Sequence, residues 1–199
     1  MQLQNMDAPI ISVITVCYNV ASTIEKTMLS VLNQTYKNLE YIIIDGNSTD
    51  GTVDIIKKYA ERLTFWISEP DKGIYDAMNK GIVKATGKFL IFMNAGDQFL
   101  NEKVLSKCLP YFLQEIDVIS GIGYLSGQKW IPAKATDLSV AFFLKRSLNH
   151  QATFINRKLF QDNLYRTDLK IVGDSVFFFQ ALIMDNASYV DIPIEIALC

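Results

Sequence analysis

Along the first hundred residues, apolar β-branched runs alternate at short intervals with amphipathic helical patterns. No other feature constrains the fold as much. IISVITV from Ile10, LEYIIID, TFWIS and KFLIFMN read as four strands, the first two suited to burial on both faces. Ser22-Thr23-Ile24-Glu25 has the Ser-x-x-Glu spacing of a capping box, opening a helix that runs towards Asn33. TVDIIKKYAERL carries a helical face in Val53, Ile55, Ile56 and Tyr59, and Tyr75 to Ala85 reads as a third helix that Gly87 ends. This order predicts an α/β architecture, a mostly parallel central sheet flanked by helices with right-handed crossovers.

After Asn101 the pattern loosens. VLSKCLPYFL reads as a helix, DVISGIGYLSG as one or two strands with Gly-rich turns, and HQATFIN as a strand. GDSVFFFQALI reads as a helix and ASYVDIPIEIAL as a last strand, while Lys129 to Ser147 carries no assignable pattern. No repeat, low-complexity tract or linker separates the halves, so we expect one domain over residues 1–199. The closing IEIALC stops in mid-strand, and we expect a longer protein truncated after Cys199.

Composition narrows the function classes. A chain of 199 residues can bury a full core. A net charge of -2 without a Lys/Arg block argues against nucleic acid as a partner. Cys17, Cys108 and Cys199 are scattered without metal-ligand spacing, which suits a reducing compartment. MQLQNMDAP lacks the charged start and apolar core of a signal peptide, and no apolar run approaches the roughly 20 residues that span a bilayer. The expectation is a soluble, cytoplasmic chain.

In parallel sheets, ligands collect beyond the carboxyl ends of the strands. Three polar clusters fall there: CYN after the first strand, DGNSTDG after the second and NAGD after the fourth. The Gly-x-Gly-x-x-Gly and Gly-x-x-x-x-Gly-Lys-Ser/Thr phosphate loops are missing. The edge offers carboxylates instead, Asp45, Asp71 and Asp97, with Asn94 beside the last. Such an edge accepts a diphosphate when Mg²⁺ or Mn²⁺ lies between them, since both ions take carboxylate and phosphate oxygens together. Spacing alone leaves two readings open: DGNSTDG and NAGD also suit tight turns, and Asp45 and Asp174 suit turn or helix caps.

Taken in order, SVITVCYN, TIEKTMLSVLNQTY, YIIIDGNSTDGT and EPDKGIYDAMNKGIVKATGKFLIFMNAGD resemble the family 2 glycosyltransferases of GT-A fold, in their bacterial capsule and exopolysaccharide branch. The resemblance runs from about Ile10 to the end. It implies a nucleotide-sugar half at about 10–100 and an acceptor half at about 101–199. Tyr18 and Asn19 then match the loop that receives the base, and Asp45 the first acid of the Asp-Asp-Gly-Ser motif, implied to bind the uracil or ribose of the donor, with Gly46 in place of the second. Asp71 resembles a further nucleoside contact, and Asn79 and Lys80 lie on the helix that faces the donor. NAGD occupies the place of the Asp-x-Asp motif, so Asp97 is the implied ligand of a divalent cation, Mn²⁺ or Mg²⁺. Asn94 is implied to assist the cation or touch the sugar. Asp174 matches the aspartate of the Glu-Asp motif and is the implied general base, with Gly173 in place of the Glu. His150 and Gln151 are implied contacts of the diphosphate or acceptor.

The resemblance therefore implies inverting transfer of a sugar from a nucleoside diphosphate, UDP foremost, to a hydroxyl of a growing surface polysaccharide or lipid-linked glycan. A lipid-linked acceptor would bring the protein to the inner face of the plasma membrane, although no amphipathic anchor is evident. Two alternatives stay open. A sugar nucleotidyltransferase normally places a basic Gly-rich loop after the first strand, where this chain has VCYNVAS. A catalytically idle binding domain for nucleotide-sugar or glycan would account for the depleted NAGD.

Overall fold

The computed structural model describes residues 8–199. The reading of the amino terminus as free of a signal peptide concerns residues 1–9, most of which lie outside the described ones. The first half runs β1 (Ile11–Cys17), α1 (Ile24–Leu32), β2 (Leu39–Asp45), α2 (Thr52–Lys58), β3 (Phe65–Ser68), α3 (Ile74–Lys84) and β4 (Phe89–Phe92). The second half runs β5 (Gln98–Phe99), α4 (Val104–Phe112), β6 (Val118–Leu125), β7 (Gln128–Trp130), α5 (Val140–Phe143), β8 (Thr153–Asn156), α6 (Gly173–Phe179) and β9 (Tyr189–Leu198).

All strands join one sheet in the order β3-β2-β1-β4-β8-β6-β9-β5, with β7 paired to β6. The pairs β3/β2, β2/β1 and β1/β4 are parallel, as the alternation of elements requires. Beyond β4 the sheet is mixed: β4/β8, β8/β6, β6/β7 and β5/β9 are antiparallel, and β6/β9 is parallel. The parallel run β3-β2-β1-β4 is thus confined to the first half of the chain. Ser126 and Gly127, both with positive φ, make the tight β6–β7 hairpin.

Every residue of β1 is buried. Ile11, Val13 and Cys17 face one core with α1 and α4, and Ile14 and Val16 face the other with α3 and α6. A methyl on Gly81 would stand 2.5 Å from Ile14 Cγ2, so glycine lets α3 lie directly on β1. Two expected end signals work differently. The Ser22–Glu25 capping box does not form, because Thr23 is the N-cap without a side-chain bond and Glu25 accepts from the Tyr59 hydroxyl at 2.8 Å. The third helix ends at Lys84, and Gly87 instead donates its N–H to Ser12 Oγ at 2.9 Å on the approach to β4.

Glu40 ties this edge together. Its carboxylate accepts from Ser12 Oγ at 2.5 Å, from Thr86 N–H at 2.9 Å and Gly87 N–H at 3.2 Å, and from the Thr86 hydroxyl. Burial pushes its pKa up, and these bonds outweigh burial and hold it below the usual value. A carboxyl with a depressed folded pKa contributes stability above its unfolded pKa, about 4.3 for Glu, and loses it as pH falls through the folded value. We predict that the melting-temperature gap between wild type and Glu40→Gln is widest near neutral pH and closes on acidification below about pH 4. A gap that stays constant with pH would remove Glu40 from that role.

Candidate functional site

The strand ends converge on Asp45, whose side chain has no exposed surface at the end of β2. Its Oδ1 accepts from Ser48 Oγ at 2.5 Å, and its Oδ2 accepts from Ser48 N–H at 2.9 Å and Ser68 Oγ at 2.6 Å. The Cys17 thiol lies 3.5 Å from Oδ1. Burial foremost, with the Asp45 charge beside it, drives the Cys17 pKa far above its ordinary value, so the thiol stays protonated and inert. Asp45 is therefore spent on joining the ends of β1, β2 and β3. The direct base or ribose contact expected of it has no exposed oxygen to use, because the fold buries and satisfies both.

Around this anchor the loops open a cavity of about 260 Å³ lined by Val16, Cys17, Tyr18, Asp71, Gly73, Ile74 and Ala77. Tyr18 is 63% exposed, an uncovered aromatic face at the cavity mouth. Asn19 takes a left-handed backbone and clamps the neighbouring loop. Its N–H donates to Ser48 Oγ at 2.8 Å, and its Oδ1 accepts from Thr49 N–H at 2.9 Å. Asp50 caps α2 through Thr52 N–H at 3.0 Å and also holds Ala21 N–H at 2.9 Å. The DGNSTDG loop is thus a hydrogen-bonded turn clamped to the loop that carries Tyr18.

A second constellation lies beyond β4. His150 Nδ1 stands 3.0 Å from Asp174 Oδ2, and Nε2 stands 3.2 Å from Asn94 Nδ2. Both contacts are satisfied when Nδ1–H donates to Asp174 and Nε2 accepts from the Asn94 amide. The Tyr75 hydroxyl lies 3.0 Å from Asp174 Oδ1 and 2.7 Å from Ile171 O. Burial pushes the Asp174 carboxyl up, and hydrogen bonds from His150 and Tyr75 more than offset it, leaving it below the usual value and ionised. His150 thus joins Asn94 to Asp174, while Gln151 follows it in the chain and Asp97 lies on the same loop as Asn94.

Asn79 and Lys80 are not brought into that group. Both ends of the Asn79 amide bind the Tyr165 backbone, at 2.8 and 2.9 Å. Lys80 pairs with Glu69 at 2.8 Å and donates to Pro70 O at 2.9 Å, along a groove lined by Ile44, Phe65 and Ile67. In the structure both side chains are engaged within the protein.

The residues present fit a divalent cation with few protein ligands. Burial raises the Asp97 carboxyl above its usual value, and hydrogen bonds from Gln151 and Cys199 lower it without cancelling that rise, so its charge is under-compensated. Asn94 Oδ1 is buried without a hydrogen-bond partner. Among the described residues, no group of three or more His, Cys, Asp or Glu gathers as a metal site. The protein side would thus be one carboxylate and one amide oxygen, a set that Mg²⁺ or Mn²⁺ completes with phosphate oxygens and water.

Sequence reasoning missed Ser48, Ser68 and the role of Tyr75. Ser48 follows Asp45 at the three-residue spacing of an Asx-type turn, which is a usable signal. Ser68 reaches Asp45 only through strand pairing, and Tyr75 reaches Asp174 across 99 positions, so no local pattern could give them.

The chain belongs to the family 2 glycosyltransferases: the family model described as Glycosyl transferase family 2 matches residues 12–186. A PGL/p-HBAD biosynthesis glycosyltransferase of Mycobacterium bovis (strain BCG / Pasteur 1173P2) is 34% identical over 161 residues, covering 78% of this chain and 62% of that protein. The chain thus spans less than two thirds of that relative's length. Among solved structures, S. aureus TarS 1–349 in complex with UDP-GlcNAc matches with a TM-score of 0.78 and 21% identity, over 96% of this chain and 58% of that one. The mannosyltransferase PcManGT from Pyrobaculum calidifontis, in complex with GDP-Man and Mn²⁺, matches with a TM-score of 0.76 and 21% identity, over 98% and 57%. The fold is GT-A, an α/β sheet parallel in its first half and mixed in its second.

The Asp45 geometry predicts a mainly structural phenotype. Asp45→Ala strands Ser48 N–H and two hydroxyls in a buried setting and should lower unfolding free energy by about 3 kcal/mol. Urea denaturation checks this, and a change below about 0.5 kcal/mol would contradict the anchoring role.

Proposed function

We propose that the protein is an inverting glycosyltransferase, moving a sugar from a nucleoside diphosphate, UDP foremost, to a hydroxyl of a bacterial surface glycan. One observation carries the reading. In a family 2 chain, Tyr18 and Asp71 line one cavity at the carboxyl edge of the sheet, and Asn94, His150 and Asp174 form a hydrogen-bonded set beyond β4, with Asp97 on the loop that carries Asn94. That is the layout a nucleoside, a diphosphate and an acceptor need in succession. The solved neighbours carry UDP-GlcNAc in TarS and GDP-Man with Mn²⁺ in PcManGT, which supports a nucleotide-sugar donor here.

In this reading Tyr18 receives the face of the base, and Asn19 fixes the loop that carries it. Asp97 and Asn94 would hold a divalent cation, which when bound supplies positive charge to the diphosphate. Asp174 is the general base. Each of its oxygens has a second lone pair beyond the bonds to His150 and Tyr75, and an ionised carboxylate can take the acceptor hydroxyl's proton as attack proceeds. His150 fixes the orientation of Asp174, and Gln151 that of Asp97. Attack on the face opposite the leaving diphosphate inverts the sugar carbon. We place the acceptor among capsule, exopolysaccharide or lipid-linked glycans, with the work done in the cytoplasm at the inner membrane face. Among the described residues no helix is long and apolar enough to cross a membrane.

Calorimetric titration with UDP, GDP, CDP and ADP, first with Mn²⁺ and then with EDTA, tests the donor side. The expected outcome is a UDP preference that weakens in EDTA, and an Asp97→Ala variant that binds UDP alike in both. Asp97→Ala weakened equally with and without metal would remove Asp97 from coordination.

Asp174→Asn should keep UDP affinity while transfer falls by about 10²–10⁴-fold. Unchanged transfer in a sugar-release assay would place the base elsewhere.

A further inference from the structure

Tyr75, in the first turn of α3, is buried against Tyr165 with the ring centroids 5.5 Å apart. Its hydroxyl stands 2.7 Å from Ile171 O and 3.0 Å from Asp174 Oδ1. A Cβ built on Gly173 would lie 2.8–2.9 Å from three carbons of the Tyr75 ring, so glycine at 173 is what lets the ring lie against the start of α6. A phenol has one proton to give, and both of its neighbours accept. While Asp174 is ionised, charge decides the contest, because a hydrogen bond to a carboxylate is stronger than one to a carbonyl. The two oxygens of Asp174 are thus held from the two halves of the chain, Oδ1 by Tyr75 and Oδ2 by His150.

We propose that Tyr75 is a positioning residue for the transfer step: its hydroxyl donates to Asp174 while the base is ionised, aiming the carboxylate at the acceptor, and turns to Ile171 O once the base has taken the acceptor's proton. The inference rests on the reading of Asp174 as general base and deepens it by assigning the group that serves the base in both charge states. In the step, the acceptor O–H bond breaks and its proton passes to Asp174. The acceptor oxygen bonds to the sugar carbon, and the bond from that carbon to the diphosphate breaks, its electron pair leaving on the diphosphate. The neutral carboxyl no longer holds the Tyr75 proton against the closer carbonyl, and rotation about one C–O bond passes the hydrogen bond to Ile171. Tyr75 keeps its own proton throughout, since burial foremost, with the Asp174 charge beside it, pushes its pKa up to about 12.

The titratable side chains that face Asp174 from the elements around it are Tyr75 of α3, His150 ahead of β8 and Tyr165 ahead of α6. Burial pushes Tyr165 up as well, so both phenols stay neutral near neutral pH. Donation from Tyr75 helps to hold Asp174 below the usual carboxyl value, and its loss raises the pKa of the base. Gly73 and Ile74, just ahead of Tyr75, line the strand-end cavity, whereas Tyr75 is not among its lining residues, so donor binding should not depend on the hydroxyl.

The test is a carbon-13 NMR titration of the carboxyl groups in the full chain, with Asp174→Asn assigning the signal of the base. Tyr75→Phe keeps the ring and should raise the Asp174 pKa by about one unit, the scale of one hydrogen bond to a charged group. UDP release from UDP-glucose and UDP-GlcNAc with Mn²⁺, water serving as acceptor, reads the step itself. In Tyr75→Phe, kcat should fall about tenfold with KM for the donor unchanged, and the acid limb of the kcat profile should move to higher pH. The base is stronger once its donor is gone, so the fall in kcat reports lost aim and not lost basicity. A purely structural Tyr75 would lower the melting temperature and leave the pKa and the acid limb in place. Tyr75→Phe with an unshifted Asp174 pKa, or with wild-type kcat at every pH, would overturn the inference alone. Asp174→Asn that releases UDP as fast as the wild type would overturn the assignment of the base beneath it.

Discussion

A fully buried carboxylate holds the working edge of this sheet in place. Asp45 ends β2, and its oxygens accept from Ser48 on the following loop and from Ser68 at the end of β3, with the Cys17 thiol of β1 alongside. An ionised group without solvent is tolerable only when donors surround it, so the two serines are conditions of its burial. Once they are engaged, Ser48 also takes the Asn19 N–H, and the loop carrying Tyr18 is fixed against the loop after β2. The cavity at the strand ends therefore follows from how one charge is satisfied.

The site beyond it is built by exchange of volume between loops. Glycine at 46 and at 173 would read as loss if each motif were considered by itself. In space both glycines make room, one for Asp71 from the segment before α3 and one for Tyr75 from the first turn of α3. Asn94, His150 and Asp174 then form a continuous polar path from the loop after β4 to the start of α6. That path couples the placement of the proposed cation ligands to that of the proposed base.

Much of the fold was legible from local pattern. Ile11–Cys17, Leu39–Asp45 and Phe65–Ser68 are strands where β-branched runs announce them, and the alternation of elements gives the parallel pairing of the first half. The second half was less legible because its order depends on tertiary pairing. HQATFIN divides into a short turn at His150–Ala152 and β8 at Thr153–Asn156, and Val140–Phe143 is too short for a period to register. The capping box at Ser22 failed because Glu25 found a better partner in Tyr59, 34 positions away. Asp71 and Asp97 stand out by type and place at the strand ends, whereas Asp174 stands out only through the resemblance of its motif. That Asp45 would be spent internally could not be read, since Ser68 meets it only once β3 pairs with β2.

The proposed function requires a nucleoside diphosphate along this edge, with its base against Tyr18 in the strand-end cavity. A crystal structure of the chain with UDP and Mn²⁺ tests it most directly. The expected complex has the uracil ring against Tyr18, the diphosphate over Asp97 and Asn94, and the Asp45 bonds to Ser48 and Ser68 unbroken. UDP whose uracil contacts Asp45 directly, or that binds away from the Tyr18–Asp71 cavity, would contradict it.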